Sequence, residues 1–173
     1  MNKLKELEVN FKHADYQLGE IGEKNTLETL REYWGDGVKQ FTNKFSPFDF
    51  YKKDENGQLT HLWELKTRRC NIDTYPTLCF GLSKKLYVDE LIKNTTQKPK
   101  VYIIWLLEMK ENAKRRIHYI WRYKKKRENT HYTIGDISNA KRNQVLKRAV
   151  FVKTNKLKPI LQYITTHQRI LSA

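Results

Sequence analysis

The chain has 173 residues, 39% hydrophobic and 12% aromatic, which is enough for one domain with a hydrophobic core and too apolar for a disordered protein. No apolar run approaches the roughly 18 residues of a membrane span, and the polar start MNKLKELEVNFKH is unlike a secretory signal. We therefore expect an intracellular protein, cytoplasmic or nuclear, without a membrane partner, in which Cys70 and Cys79 form neither a zinc site nor a disulfide.

The positive charge is concentrated in the last third of the chain. The net charge is +15, yet residues 1–109 hold 17 Lys and Arg against 16 Asp and Glu, whereas residues 110–173 hold 17 against 3. This segregation indicates a surface that binds a polyanion, with nucleic acid as the first candidate. The alternative is that the charge only keeps a basic protein in solution.

The first predicted element is a helix over residues 15–34. Its apolar stripe recurs at spacings near 3.6 and consists of Ile21, Leu27, Leu30 and Trp34. Glu23 is four residues before Leu27 and therefore lies on the core-facing side, where a carboxylate needs a partner or a metal. The alternative is a partly exposed residue at the edge of the stripe.

Three strands are predicted after Gly35-Asp36-Gly37 ends this helix: residues 38–45, 48–52 and 60–67. Asn56-Gly57 joins the last two, because this dipeptide readily takes the positive φ angles of a tight hairpin turn. Alternation puts Glu64 and Lys66 on one face of the third strand, with Trp63 and Leu65 on the other. A core-facing Trp and Leu explain the second face, whereas two charged groups beside Asp49 of the neighbouring strand indicate a functional site.

The remaining elements complete one α/β or α+β domain with a mixed central sheet. Residues 68–81 read as irregular, and Ser83 is the expected N-cap of a helix over 84–94. The apolar run 101–107 predicts a central strand buried on both faces, with 117–123 as its antiparallel neighbour across the loop 111–116. A short strand at 149–152 and a terminal helix over 159–171 follow. The core is expected over about 15–123 of the single domain 1–173, with a basic C-terminal extension over about 124–173.

The charged residues near the hairpin suit metal-dependent phosphodiester hydrolysis. That reaction needs carboxylates converging on a hard cation, and a positive group near the attacking water or the phosphate. Asp49 and Glu64 could hold the metal between them, with the backbone oxygen of Leu65 as a further ligand. Lys66 lies about 6–7 Å along the strand from Glu64 and could orient or deprotonate water, or stabilise developing charge. Glu23 would complete the anionic cluster, by direct ligation or through water.

Glu23 on a helix, Pro47-Phe48-Asp49 and Glu64-Leu65-Lys66 together resemble the PD-(D/E)XK nuclease superfamily. The approach Gly19-Glu20-Ile21-Gly22-Glu23 is similar to the Gly-x-x-x-Glu opening of its Holliday-junction-resolvase and Mrr-type members. The resemblance covers about residues 17–107 and departs from the family at Phe48, which separates Pro47 from Asp49. It implies a restriction-endonuclease-like core, a mixed β-sheet flanked by helices in the order α-β-β-β-α-β, and a bacterial, phage or viral origin.

The resulting expectation is a Mg²⁺-dependent DNA endonuclease that also accepts Mn²⁺, and a homodimer if both strands are cut. The alternatives are a catalytically silent nucleic-acid-binding module on the same fold, and a nuclease directed at RNA, which the residues do not separate from DNA. An aromatic face at Tyr119, Trp121 and Tyr123 could stack on bases or simply pack inside the protein. The predicted nucleic-acid contacts are Arg68, Arg69, Lys84, Lys85, Lys124, Lys125, Lys126 and Arg127.

Overall fold

The computed structural model describes residues 3–43, 45–109, 116–138 and 146–161, with side chains from residue 19 onward except those of 138 and 146. These residues form two α-helices and nine β-strands. In chain order they are α1 (Lys3–Trp34), β1 (Val38–Gln40), β2 (Phe50–Lys53), β3 (Leu59–Arg68), β4 (Thr77–Gly81), α2 (Leu82–Asn94), β5 (Lys100–Glu108), β6 (Arg116–Arg122), β7 (Tyr132–Ser138), β8 (Leu146–Lys153) and β9 (Lys158–Pro159).

A six-stranded mixed sheet forms the centre, with strand order β1-β2-β3-β5-β6-β9. β3 and β5 are parallel, with Glu64 opposite Ile103, and the other pairs are antiparallel. A parallel pair needs a crossover connection, and α2 lies within it. The expected α/β class with a mixed sheet is therefore confirmed.

The helices cover opposite faces of this sheet. On one face Leu30 of α1 packs with Trp63, Leu65 and Ile104. On the other face Val88 of α2 belongs to a second apolar cluster, which includes Leu62, Ile103 and Trp105. Every residue of β5 from Val101 to Glu108 is buried, as expected of a strand covered on both faces.

A second sheet of three strands, in the order β4-β8-β7, packs on the α2 side. Its strand β4 falls in the segment predicted to be irregular, where Leu78 pairs with Val152 of β8. A strand of five residues whose partner is distant in the sequence carries little local pattern. This explains why the segment was predicted to be irregular. Tyr132 and Val150 lie in the same cluster as Trp105, so the described part of the basic last third is packed into the domain.

Several predicted boundaries were wrong. α1 already begins at Lys3. Ile21 is 48% exposed, because Thr26 takes the core-facing position and hydrogen-bonds to the Gly22 carbonyl and to His118. α2 begins at Leu82 after Gly81, without a side-chain cap, so Ser83 is not the N-cap. β1 ends at Gln40, and Pro159 belongs to β9. The loop 111–115 and the predicted helix from 162 onward lie outside the described residues.

The hairpin between β2 and β3 exists, but Asn56-Gly57 does not form the predicted tight turn with positive φ angles. Only Gly57 has a positive φ, at 75°, whereas Asn56 does not. Asp54 closes the loop instead, since its Oδ1 accepts the amide protons of Asn56 at 3.0 Å and of Gln58 at 2.9 Å.

The aromatic residues of the β6 region are packing groups. Trp121 and Tyr123 are buried in the cluster on the α2 side, and Tyr119 packs against it. The base-stacking alternative is therefore wrong for Trp121 and Tyr123. None of the helices formed by the described residues has the length and apolarity needed to cross a membrane.

Candidate active site

The carboxylate of Asp49 is bonded to the backbone of β3. Asp49 lies just before β2, where its N–H donates to the Trp63 carbonyl at 3.1 Å. Its Oδ2 accepts the N–H of Leu65 at 2.6 Å, which places the carboxylate beside the Glu64-Leu65-Lys66 segment. The N–H and C=O of one strand residue point toward the same neighbouring strand, so the Leu65 carbonyl also points to the side of Asp49.

Glu64 is a buried carboxylate held by two lysines. It is 1% exposed, and its Oε1 accepts a hydrogen bond from the Lys66 ammonium of the same strand face. Its Oε2 accepts one from Lys84 Nζ of α2 at 2.9 Å, and Lys84 also donates to the Pro47 carbonyl. A charge this deep is stable only with such partners. The predicted shared face of Glu64 and Lys66 is confirmed, and Lys84 joins them.

Burial and the charge of Glu64 raise the pKa of Asp49 to about 6. The Leu65 N–H and the ammonium groups of Lys66 and Lys84 act in the opposite direction and do not cancel the rise. Two carboxylates that repel each other in a partly desolvated site attract a further cation.

Glu23 reaches the site because α1 approaches the sheet closely at the preceding residue. A Cβ on Gly22 would lie 3.1 Å from Thr67 Oγ1 and 3.2 Å from Leu106 Cδ2, so only glycine allows this approach without displacement. Glu23 is half-buried, and its Oε2 accepts a hydrogen bond from Gln40 Nε2 at 2.6 Å.

A cleft of about 780 Å³ connects Glu23 with Asp49. Its wall includes one turn of α1 at Gly19 and Glu20, Gln40 of β1, and the loop that leads into β2. The structure therefore brings the three predicted residues Asp49, Glu64 and Lys66 together. It places the fourth, Glu23, on the wall of the cleft that Asp49 also lines.

The predicted nucleic-acid contacts next to this site differ in accessibility. Arg68 and Arg69 are both exposed. Arg68 donates to the Thr67 carbonyl beside it at 2.8 Å, and Arg69 Nε lies 3.7 Å from Glu108 Oε1. Lys85 is 6% exposed and forms an ion pair with Asp89 at 2.7 Å. The structure thus contradicts Lys85 as a surface contact, because the turn of α2 that aims Lys84 at Glu64 directs its neighbour into the protein.

The four cations Lys124, Lys125, Lys126 and Arg127 follow β6 and include a short 3₁₀ helix at Lys125–Arg127. The sheet order places β6 on the opposite half of the sheet from β1 and β2, which border the cleft. These residues are therefore separate from the acidic site.

Two features of the site were not predicted. Gln40 lies at the end of β1 and orients Glu23, but a lone Gln on a short strand carries no sequence signal. Lys84 was expected at a substrate phosphate and is instead a partner of Glu64. Its position at the start of a helix after the motif strand was the available hint, but the helix packing that aims it inward depends on distant residues.

The donor chemistry fits a hard divalent cation. Asp49, Glu64 and the Leu65 carbonyl offer only oxygen atoms, as Mg²⁺ prefers. Within the described residues, no group of three or more His, Cys, Asp or Glu side chains is arranged to hold a metal, so the carboxylates here form a pair. Both Glu64 oxygens already accept hydrogen bonds from lysine ammonium groups, so a cation would share these oxygens with the lysines or displace one of them. Comparison with protein-family models and with curated proteins gives no match for this chain.

Proposed function

We propose that this protein is a metal-dependent endonuclease that hydrolyses phosphodiester bonds of DNA, on a restriction-endonuclease-like core. The observation that carries the proposal is the bond from the Leu65 N–H to Asp49, which joins Asp49 to the Glu64-Leu65-Lys66 segment. The parallel pair of β3 and β5, with α1 and α2 on opposite faces, supports the proposed core.

In this proposal Asp49, Glu64 and the Leu65 carbonyl hold Mg²⁺, with Glu23 contributing through water, and Mn²⁺ replaces Mg²⁺. The bound ion supplies a Lewis acid that polarises the phosphate and lowers the pKa of water. Asp49 must be deprotonated to act as a ligand, and its pKa of about 6 allows this at neutral pH.

Lys66 has the most direct role among the cationic side chains. Its side chain is 27% exposed, and in this proposal it turns from Glu64 toward an oxygen of the phosphate bound at Asp49 and Glu64. There it orients the attacking water and stabilises the negative charge that develops on the phosphate. Lys84 stays on Glu64 Oε2 and keeps part of the buried charge neutral.

The basic last third supports a nucleic-acid substrate, since phosphate contacts dominate the affinity of such complexes. DNA is the substrate we propose, and cleavage of both strands would use a homodimer because one site cuts one strand.

One observation favours a second candidate, a catalytically silent nucleic-acid-binding module. The lysine bonds to both Glu64 oxygens could complete the site without any metal.

Cleavage assays separate these candidates. The protein is incubated with plasmid, branched or single-stranded DNA, or with RNA of matched sequence. Each mixture contains Mg²⁺, Mn²⁺ or EDTA. We expect metal-dependent cleavage of DNA that falls at least about 100-fold in Asp49→Asn, Glu64→Gln and Lys66→Met. The matched control is Asp73→Asn, at an exposed residue outside the cleft lining. If the variants cleave as fast as this control, the proposal is wrong. If the native protein binds DNA in a salt-sensitive way without cleaving it, the protein is the silent binding module.

A further inference from the structure

A second concave site lies at the β6–β9 edge of the sheet, away from the acidic cleft. It has a volume of about 280 Å³, and its polar lining consists of Arg122, Lys124, Arg127, His131, Lys156 and Lys158. Ile120 and Trp121 supply its apolar part. We call this site the basic pocket. Its volume lies below the roughly 300–1,000 Å³ of typical sites for drug-sized ligands, and therefore suits a small charged group.

Backbone hydrogen bonds hold the walls of the basic pocket in place. Lys158 is opposite Ile120 in the β6–β9 pair. The Arg127 carbonyl accepts the His131 N–H at 2.8 Å, and the His131 carbonyl accepts the Lys153 N–H at 2.9 Å. The cations are therefore presented by a built framework and not by one flexible tail.

The basic pocket combines several positive charges that the described part of the chain leaves without an acidic partner. Among the described residues, no acidic side chain forms an ion pair with its Arg and Lys residues. The charge of Arg122, followed by burial and the charge of Arg127, lowers the pKa of Lys124. Burial and the charges of Arg127 and Lys156 lower the pKa of His131. An anion at this place would relieve the repulsion.

His131 adds a directed donor. The Trp121 indole N–H donates to His131 Nδ1 at 3.4 Å, so Nδ1 acts as the acceptor. The neutral ring then carries its proton on Nε2, which is left to donate to a ligand. Two guanidinium groups and three ammonium groups around such a donor match the oxygens of a phosphate.

We propose that the basic pocket binds a backbone phosphate of a nucleic-acid strand. The choice of nucleic acid rests on the proposed nuclease function, whereas the anion specificity rests on the pocket alone. Phe50, Trp63, Tyr102 and Arg122 are successive partners across the sheet. Three strand spacings separate the first from the last, about 14 Å.

The test measures binding without cleavage. Fluorescence anisotropy of a labelled oligonucleotide is followed in EDTA across a salt series, for Arg127→Gln/Lys158→Gln and for the control Lys98→Gln/Lys147→Gln. Both double variants lose two positive charges, and Lys98 and Lys147 are exposed residues outside the pocket. We expect the pocket variant to bind about 10-fold or more weakly than the control, with the slope of log K against log salt smaller by about 2. Circular dichroism verifies that the variants are folded. If Arg127→Gln/Lys158→Gln is unfolded, the single variant Lys158→Gln replaces it.

Three outcomes would overturn the proposal. Equal losses in both double variants would mean diffuse charge instead of a pocket. Loss of inorganic phosphate binding with unchanged oligonucleotide binding would identify a site for a small anion. Poly-glutamate could also bind as tightly as the oligonucleotide and lose the same affinity in the pocket variant. That result would identify an acidic protein as the partner. Because EDTA excludes catalysis, an inactive Asp49→Asn protein leaves this result unaffected, and the two proposals fail separately.

Discussion

Lys84 Nζ lies 2.9 Å from Glu64 Oε2, so a helix residue neutralises a carboxylate of the central sheet. The same ammonium donates to the Pro47 carbonyl, directly before the segment that carries Asp49. Lys84 thus joins three separate parts of the chain at one atom. The stability of the site and its charge balance therefore depend on the same side chain.

Replacement of Lys84 by Met should destabilise the protein. Glu64 Oε2 would remain buried without a donor, and an unsatisfied buried group of this kind costs about 1–3 kcal/mol of unfolding free energy. Urea denaturation in EDTA measures the change. Lys93→Met, at an exposed residue of the same helix, is the control, and equal stability of the two variants would contradict a role of Lys84 in holding Glu64.

The stability of the protein should carry a pH signature of Asp49. Its pKa is about 6 in the folded state against 3.8 as the reference, so between these values the folded protein binds more protons than the unfolded chain. The free energy of unfolding therefore falls as pH rises through this window. Relative to Asp49→Asn, the native protein should lose on the order of 2 kcal/mol between pH 4 and pH 7.

Denaturation of the native protein and of Asp49→Asn in EDTA at several pH values measures this difference. Asp73→Asn should show no such pH-dependent difference from the native protein. A difference that stays constant with pH would show that Asp49 titrates normally. Added Mg²⁺ at pH 7 should stabilise the native protein more than Asp49→Asn, because a ligand that binds only the folded state raises its stability.

Two glycines of α1 should respond differently to replacement by alanine. Gly19→Ala should stabilise the protein by about 0.5–1 kcal/mol, because alanine favours the helix and nothing lies within 4 Å of the added Cβ. Gly22→Ala should stabilise less or destabilise, because its Cβ meets Thr67 and Leu106. Thermal melts of both variants provide the comparison, and equal gains would mean that α1 can withdraw from the sheet without cost.

Gln40→Ala should lower the rate of cleavage by roughly 10-fold while leaving the fold intact. The change removes the 2.6 Å bond that orients Glu23 in the cleft, and small displacements of positioning groups are costly in catalysis. Steady-state cleavage of plasmid DNA is the measurement, with Lys39→Ala at the exposed neighbouring residue as the control. A rate equal to that of the control would remove Glu23 from the proposed mechanism.

Elements with a strong local pattern were predictable. Alternation alone assigned Trp63 and Leu65 to one face of β3 and Glu64 to the other, because a strand has only two faces. The apolar run from Val101 to Leu107 was equally clear as a central strand.

Features that depend on distant partners were not predictable. β4 exists because β8 pairs with it, and Lys84 faces inward because α2 packs beside that second sheet. The exposure of Ile21 has a similar cause, since Thr26 finds a hydrogen-bond partner in His118, 92 residues along the chain. Periodicity could not show that a polar side chain would take the core-facing position.

The pairing of Leu78 with Val152 also has a consequence for the order of assembly. It closes a loop of about 70 residues, and such long-range contacts form late because the entropy of closure precedes any gain in packing energy. β4 runs directly into α2, which carries Lys84. During synthesis Glu64 and Lys84 are therefore both made before β8, the strand that pairs with β4.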